Sequence, residues 1–289
     1  MIFTSSCCDN LSIDEIIERA EKGDCEAQYI VGFYYNRDSA IDSPDDEKAF
    51  YWLKLAAEQG HCEAQYSLGQ KYTEDKSRHK DNEQAIFWLK KAALQGHTFA
   101  SNALGWTLDR GEAPNYKEAV VWYQIAAESG MSYAQNNLAD LYEDGKGVAQ
   151  NKTLAAFWYL KSAQQGNRHA QFQIAWDYNA GEGVDQDYKQ AMYWYLKAAA
   201  QESVGAYVNI GYMYKHGQGV EKDYQAAFEW FTKAAECNDA TAWYNLAIMY
   251  HYGEGRPVDL RQALDLYRKV QSSGTRDVSQ EIRETEDLL

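Results

Sequence analysis

The stretch AQNNLADLYEDGKGVAQNKTLAAFWYLKSAQQG, residues 134–166, decides how this chain is read. Its first part sets Ala134, Leu138, Ala139 and Tyr142 at i, i+4, i+5 and i+8, which is one face of a helix. Gly145 and Gly147 end that helix, because glycine accepts the positive φ of a helix C-terminal turn. Val148 places a hydrophobic residue in the turn. Asn151 is a good N-cap for a second helix, which carries Ala155, Trp158, Tyr159 and Ala163 and closes at Gly166. The pattern predicts two antiparallel helices joined by a short loop.

Outward from this block the unit recurs. The opening alanines are Ala27, Ala64, Ala100, Ala134, Ala170, Ala206 and Ala242, at steps of 37, 36, 34, 36, 36 and 36. A fixed period in this range marks a solenoid of stacked helical units that needs no second core. Tryptophan recurs on the second helix at Trp52, Trp88, Trp122, Trp158, Trp194 and Trp230, with Leu266 in the last block. Small residues at Gly32, Gly69, Gly105, Ala139, Ala175, Gly211 and Ala247 let neighbouring helices approach closely. Asn151, Asp187, Asp223 and Asp259 repeat the cap at a step of 36.

The pattern Ala-x-x-x-Leu-Gly-x-x-Tyr, Gly-x-Gly-Val, Ala-x-x-Trp-Tyr-x-Lys-Ala-Ala resembles the Sel-one-like repeat family, a relative of tetratricopeptide repeats. The resemblance covers about residues 27–274, and blocks four to six follow it most closely. Blocks one to three depart in the loop: residues 36–46, 74–82 and 110–115 lack Gly-x-Gly-Val. Asp14 to Gly23 resembles a lone second helix, and Val278, Ile282 and Leu289 fit the inner face of a closing helix, a cap such arrays need. The expectation is an all-α, right-handed α/α solenoid of about seven helix-turn-helix repeats with an N-terminal half repeat and a C-terminal capping helix. It divides into a tail at 1–10, the repeats at 11–274 and the cap at 275–289.

Composition narrows the partners. The 28 Lys+Arg against 43 Asp+Glu leave a net charge of −15. That opposes nucleic acid, whose phosphates reward a basic surface, and an anionic membrane surface. It leaves room for a protein or peptide ligand with a basic surface, though net charge also simply keeps a long surface soluble. No apolar run approaches the roughly 18 residues a membrane helix needs, and Met1 to Cys8 lack the basic and apolar regions of a signal peptide. A cytoplasmic protein is expected, or a periplasmic one if a leader was removed. The odd set Cys7, Cys8, Cys25, Cys62 and Cys237 is no disulfide framework. Cys25 and Cys62 occupy equivalent places one repeat apart, too distant to bridge, and read as free thiols.

No reaction chemistry stands out. The Gly-x-Gly pairs lack the preceding strand and the Gly-Lys-Ser/Thr of a phosphate loop, and read as recurrent turns. His61 and His97 follow the closing glycine of adjacent blocks, and repeat spacing keeps them apart. His79, His169, His216 and His251 show no metal-ligand spacing either. No Ser-His-Asp or Cys-His arrangement appears. Neither a cofactor nor a metal is expected.

What the framework leaves over is a stripe on the first helices, which in the resembled fold line the concave face. Its third positions are Tyr29, Tyr66, Asn102, Asn136, Phe172, Val208 and Tyr244, and its seventh positions Phe33, Gln70, Trp106, Asp140, Trp176, Tyr212 and Ile248. The framework is nearly constant between blocks, while this stripe varies and stays aromatic. Three tryptophans lie off the second helices: Trp106, Trp176 and Trp243. Aromatic residues at partly exposed positions are common interface anchors, although they also fill gaps between repeats. The candidate partner-binding residues are therefore Tyr29, Phe33, Tyr66, Trp106, Asp140, Phe172, Trp176, Tyr212 and Tyr244. Asp109, Arg110, Glu143, Asp144, Lys215, His216, His251 and Tyr252 form a polar rim.

The leading reading is a non-enzymatic protein-binding scaffold. The resemblance also implies an immunity protein that neutralises a secreted toxin, as partners of type VI secretion phospholipases do. Glycan binding ranks next, since aromatic faces stack on sugars. A β-lactamase-like or cell-wall hydrolase comes last. That activity was described for cysteine-rich relatives, and the chain lacks their regular paired cysteines.

Overall fold

The computed structural model describes residues 11–36, 45–74, 79–111 and 113–289. The expected tail at 1–10, with Cys7 and Cys8, and much of the first two inter-helix loops lie outside the described residues. Among the described residues there are sixteen α-helices and no strand. The chain forms two compact units, Met1–Gln150 and Asn151–Leu289.

The first unit holds α1 (Ile13–Glu21), α2 (Cys25–Asn36), α3 (Asp46–Glu58), α4 (Cys62–Thr73), α5 (Asn82–Leu94), α6 (Thr98–Arg110), α7 (Tyr116–Glu128) and α8 (Ser132–Asp144). The second holds α9 (Lys152–Gln164), α10 (Arg168–Ala180), α11 (Tyr188–Ala199), α12 (Val204–His216), α13 (Tyr224–Glu236), α14 (Ala240–Tyr252), α15 (Leu260–Ser273) and α16 (Ser279–Asp287). Within each unit every helix packs on the next. The half repeat is α1, which starts in a capping box between Ser12 and Glu15.

Each second helix of the seven repeats begins at an Asp or Asn whose side chain accepts a free backbone N–H of the first turn. The caps are Asp45, Asp81, Asn115, Asn151, Asp187, Asp223 and Asp259. The recurrent cap expected from four blocks thus extends to all seven.

Inside each pair, the small residue of the first helix meets a large one of the second. A Cβ on Gly105 would sit 2.7 Å from the Tyr123 ring, and one on Gly69 would sit 2.7 Å from Leu89 Cγ. Glutamine joins successive repeats. Buried Gln28, Gln65, Gln135 and Gln171 donate through Nε2 to the carbonyls of Ala20, Ala57, Ala127 and Ala163 near the end of the preceding second helix. Those carbonyls also accept from the closing glycines Gly23, Gly60, Gly130 and Gly166, so the glutamine takes up a second lone pair. Gln59, Gln95 and Gln201 then donate to the side-chain oxygens of Gln28, Gln65 and Gln171.

The framework tryptophans split. Trp88, Trp122 and Trp194 are buried, while Trp52, Trp158 and Trp230 are half-buried. At the C-terminal end Val278 is fully buried and Ile282 packs on the cluster of Ala247, Ala263, Tyr267 and Val270. Leu289, expected on the same inner face, is exposed, because α16 ends at Asp287 before the turn that would carry it inward. In the last loop Arg256 stands where Val148, Val184 and Val220 stand in the others. Its guanidinium covers the Phe228 ring and donates to Tyr250 Oη at 3.0 Å.

The loops dock onto the repeat before them. The second loop glycine lies against the first turn of the preceding second helix: Gly147 on Tyr116, Gly183 on Lys152, Gly219 on Tyr188 and Gly255 on Tyr224. At Gly147, φ is +75° and an added Cβ would lie 2.4 Å from the Tyr116 carbonyl carbon. The turns closing the second helices also need positive φ but have open space; there Glu202 stands at φ +61° where Gly166 stands one repeat earlier. Gly147→Ala combines left-handed strain of about 1–2 kcal/mol with overpacking of about 1–3 kcal/mol. Glu202→Gly relieves the strain alone and raises stability by about 1 kcal/mol. Urea titration followed by circular dichroism should move the two midpoints in opposite directions. Unchanged midpoints would remove the docked loop from the account.

Candidate functional site

In the first unit, α4 and α6 face each other across a cleft of about 240 Å³. Its walls include Tyr66, Gln70 and Thr73 from α4, and Phe99, Asn102, Trp106 and Thr107 from α6. Leu89 of α5 and Met131 ahead of α8 also line it. Trp106 is 46% exposed and Phe99 59% exposed. Large apolar side chains left this open beside a concavity are what a partner's side chain can cover. Helical spacing places them together: Phe99, Asn102 and Trp106 follow at i, i+3 and i+7 on α6. The Arg110 guanidinium lies 5.8 Å from the Trp106 ring centre.

The expected carboxylates lie on α6 and α8. Asp109 is half-buried, and burial holds its carboxyl above the usual range against the pull of Arg110 and Lys146. The Tyr123 hydroxyl donates to it at 3.5 Å. Asp140 lies close enough to Asp109 to repel it, and accepts from Asn136 Nδ2 at 3.2 Å. Asp144 is exposed and pairs with Lys146 at 2.8 Å. The Glu143 main-chain carbonyl accepts from Gln150.

Other expected residues serve the packing. Tyr29 and Tyr66 stack on His61 and His97 of the following repeat at 4.5 Å between ring centres. Burial pushes the Tyr29 phenol up to about 12. Phe33 lies 6.1 Å from Tyr29, half-buried. Gln70 donates to the Tyr66 hydroxyl. His61 and His97, weighed in the sequence only as metal ligands, are helix N-caps. The Nδ1 of His61 accepts from Ala64 N and that of His97 from Ala100 N, while their Nε2 atoms face Glu26 and Glu63. A neutral ring protonated on Nε2 satisfies both contacts.

In the second unit Trp176 on α10 is 45% exposed. Phe172 fills the gap to the next repeat, against Tyr195 and Gly205. Tyr212 lies edge-on to Phe231, and its oxygen accepts from Asn245. Tyr244 was expected on an open face, but Arg276 covers its ring at 3.9 Å and its hydroxyl donates to Glu281 of α16. His251 meets Thr285 of the same helix at 3.1 Å. Both are covered because the closing helix crosses the end of the last first helix. Lys215 is occupied in an ion pair with Glu254 at 2.7 Å, and its side chain is 11% exposed. His216 and Tyr252 remain exposed. The sequence reading missed Phe99; the signal was an aromatic residue just before the opening alanine, where Glu26 and Glu63 stand in earlier repeats.

Cys25, Cys62 and Cys237 are free thiols. Among the described residues no three His, Cys, Asp or Glu side chains could hold a metal ion, and no helix is long and apolar enough to cross a membrane.

Paired helices in tandem, with an aromatic cleft between first helices, define a helical-repeat protein. The chain belongs to the Sel1 repeat family, whose repeat matches residues 25–61, 62–97, 98–131, 132–167, 168–203, 204–239 and 240–269. It is 92% identical over 150 residues to YbeQ, a Sel1-repeat-containing protein of Escherichia coli strain K12, an overlap of 52% of this chain and 46% of that one. The chain spans about half the length of that curated relative. Among solved structures, c5321, a protective antigen of uropathogenic Escherichia coli with an SLR fold, matches with a TM-score of 0.82 and 31% identity. The match covers 92% of this chain and 57% of that one. A Sel1 repeat protein from Oxalobacter formigenes matches with a TM-score of 0.71 and 32% identity over 94% of this chain and 80% of that one. Such repeats form a scaffold for protein–protein contacts.

Replacing His61 and His97 by alanine removes two N-caps and two stacked rings, and should cost about 1 kcal/mol or more per site. Asparagine, the cap at Asn167, should recover most of the cap term. Thermal unfolding of the Ala and Asn double variants measures the difference; equal losses would show that the cap bonds contribute nothing.

Proposed function

We propose that this chain is a protein-binding scaffold and that the cleft between α4 and α6 takes an apolar side chain of its partner. The observation that supports this reading most directly is Trp106, half-exposed beside Phe99 at the mouth of the cleft. A tryptophan whose remaining surface is covered on binding is the kind of residue that dominates interface energetics. The net charge of −15 favours a partner with basic groups flanking the apolar anchor, and steers its approach. Trp176 on α10 is the corresponding anchor in the second unit. An immunity role, with a basic toxin as the bound partner, would use the same cleft. The chemistry in the cleft is that of contact: its walls are aromatic, amide, hydroxyl and aliphatic groups.

Trp106→Ala should weaken partner binding by about 2 kcal/mol, or roughly thirtyfold. The readout is titration of the partner that co-purifies with the wild-type chain, with helicity of the variant checked by circular dichroism. Raised salt should lower the association rate, since the steering charges are screened. Undiminished affinity in a folded Trp106→Ala, Phe99→Ala variant would place the binding site elsewhere.

A further inference from the structure

The second unit carries a different surface on its second helices. Leu154, Phe157 and Lys161 stand at i, i+3 and i+7 on α9, one stripe of that helix. On α11 Tyr193 and Lys197 stand one repeat on from Phe157 and Lys161, with Lys189 and Leu196 beside them on the exposed face. All seven are exposed, with Phe157 at 46% and Tyr193 at 49%. Lys161 lies over the Phe157 ring at 5.1 Å and Lys197 over the Tyr193 ring at 5.6 Å. A groove runs between the two helices, bounded by Leu160 and Gln164 on one side and Gln190 and Trp194 on the other.

Charge sets this surface apart. The chain holds 43 Asp and Glu residues, yet α9 and α11 contain none and carry four lysines. Lys152 pairs with Glu182. Lys161, Lys189 and Lys197 make no ion pair with any described residue. Two carboxylates, Asp185 and Asp187, line one end of the groove, in the loop before α11, while the lysines stand on the exposed faces outside it. In a chain of net charge −15, three unpaired lysines among four exposed apolar side chains form a local basic and apolar patch.

We infer that the solvent face of α9 and α11 is a second docking surface, and that it takes an acidic amphipathic helix of a protein partner. The apolar side of such a helix would cover Leu154, Phe157, Tyr193 and Leu196. Its carboxylates would meet Lys161, Lys189 and Lys197. Helix-in-groove recognition uses this division of labour, with apolar anchors for affinity and rim charges for orientation. An extended anionic bilayer would meet the chain's many carboxylates as well as the patch, whereas one short helix can set its carboxylates against the three lysines alone, within a Debye length of them.

Fluorescence anisotropy tests this with an 18-residue labelled helical peptide, leucines on one side and glutamates on the other. A second peptide has the same leucines and lysines in place of the glutamates. The glutamate peptide should bind the full chain. Its affinity should fall about tenfold or more in Lys161→Glu with Lys197→Glu, and again in Phe157→Ala with Tyr193→Ala. The lysine peptide should lose nothing in the charge-reversed variant, and Trp106→Ala should leave the glutamate peptide's affinity unchanged, which separates this surface from the α4–α6 cleft. Absent binding of the glutamate peptide, or equal affinity in the charge-reversed and wild-type chains, would overturn the inference. So would sedimentation of the chain with phosphatidylserine vesicles that depends on the same lysines, since the surface would then be a membrane contact.

Discussion

The close crossing inside each helix pair is the constraint on which the rest depends. At Gly105 there is no room for a Cβ against Tyr123, and at Gly69 none against Leu89. That spacing lets a full tyrosine or leucine be buried beneath the first helix. It also holds the second helix where its Asp or Asn cap begins a new turn and where the next repeat can reach its end. Alanine stands at the same place at 139, 175 and 247, so three of the seven crossings accommodate one methyl group. The repeat is therefore a geometric unit first and a sequence unit second.

Between repeats, hydrogen bonds solve a problem that packing alone leaves open. The carbonyls at the end of each second helix accept from the turn that closes it, and stacking buries the lone pair left over. Gln65 answers at Ala57, and Gln95 in turn answers the free oxygen of Gln65. A buried amide with both ends satisfied fixes the register of one repeat on the next, since a slip would leave a polar group unpaired in the core. The docked loops do the same with shape: Gly147 can lie on Tyr116 only because it has neither side chain nor a demand for negative φ.

Much of this was legible in the sequence. Fixed spacing exposes whatever every repeat must share, so the alanines, the loop glycines and the Asp/Asn caps could be read directly. The half repeat at α1 was legible for the same reason. Features that occur once or twice were not. His61 and His97 cap helices through a ring nitrogen, a role that residue type alone does not suggest, and only the structure shows the ring stacked on the tyrosine of the repeat before. Tyr244 has the sequence position of an open aromatic, but an element following the last repeat covers it. Periodicity cannot report a contact made by a segment outside the period. The exposed aromatics of α9 and α11 were hidden for the opposite reason. They stand immediately before the framework tryptophans, and the stronger signal absorbed them.

The uneven charge is the clearest sign that the surface is more than a solvated shell. If solubility were the only demand, carboxylates on every exposed helix would serve it, and the exposed sides of α9 and α11 would carry their share. Instead those helices expose lysines and apolar rings together, with no carboxylate of their own. Each lysine stem also covers part of the neighbouring ring, which lowers the cost of leaving that ring in water until it is bound. If the proposed α9–α11 surface binds, its lysines select against basic segments there, so its partner differs from one that the chain's overall negative charge attracts.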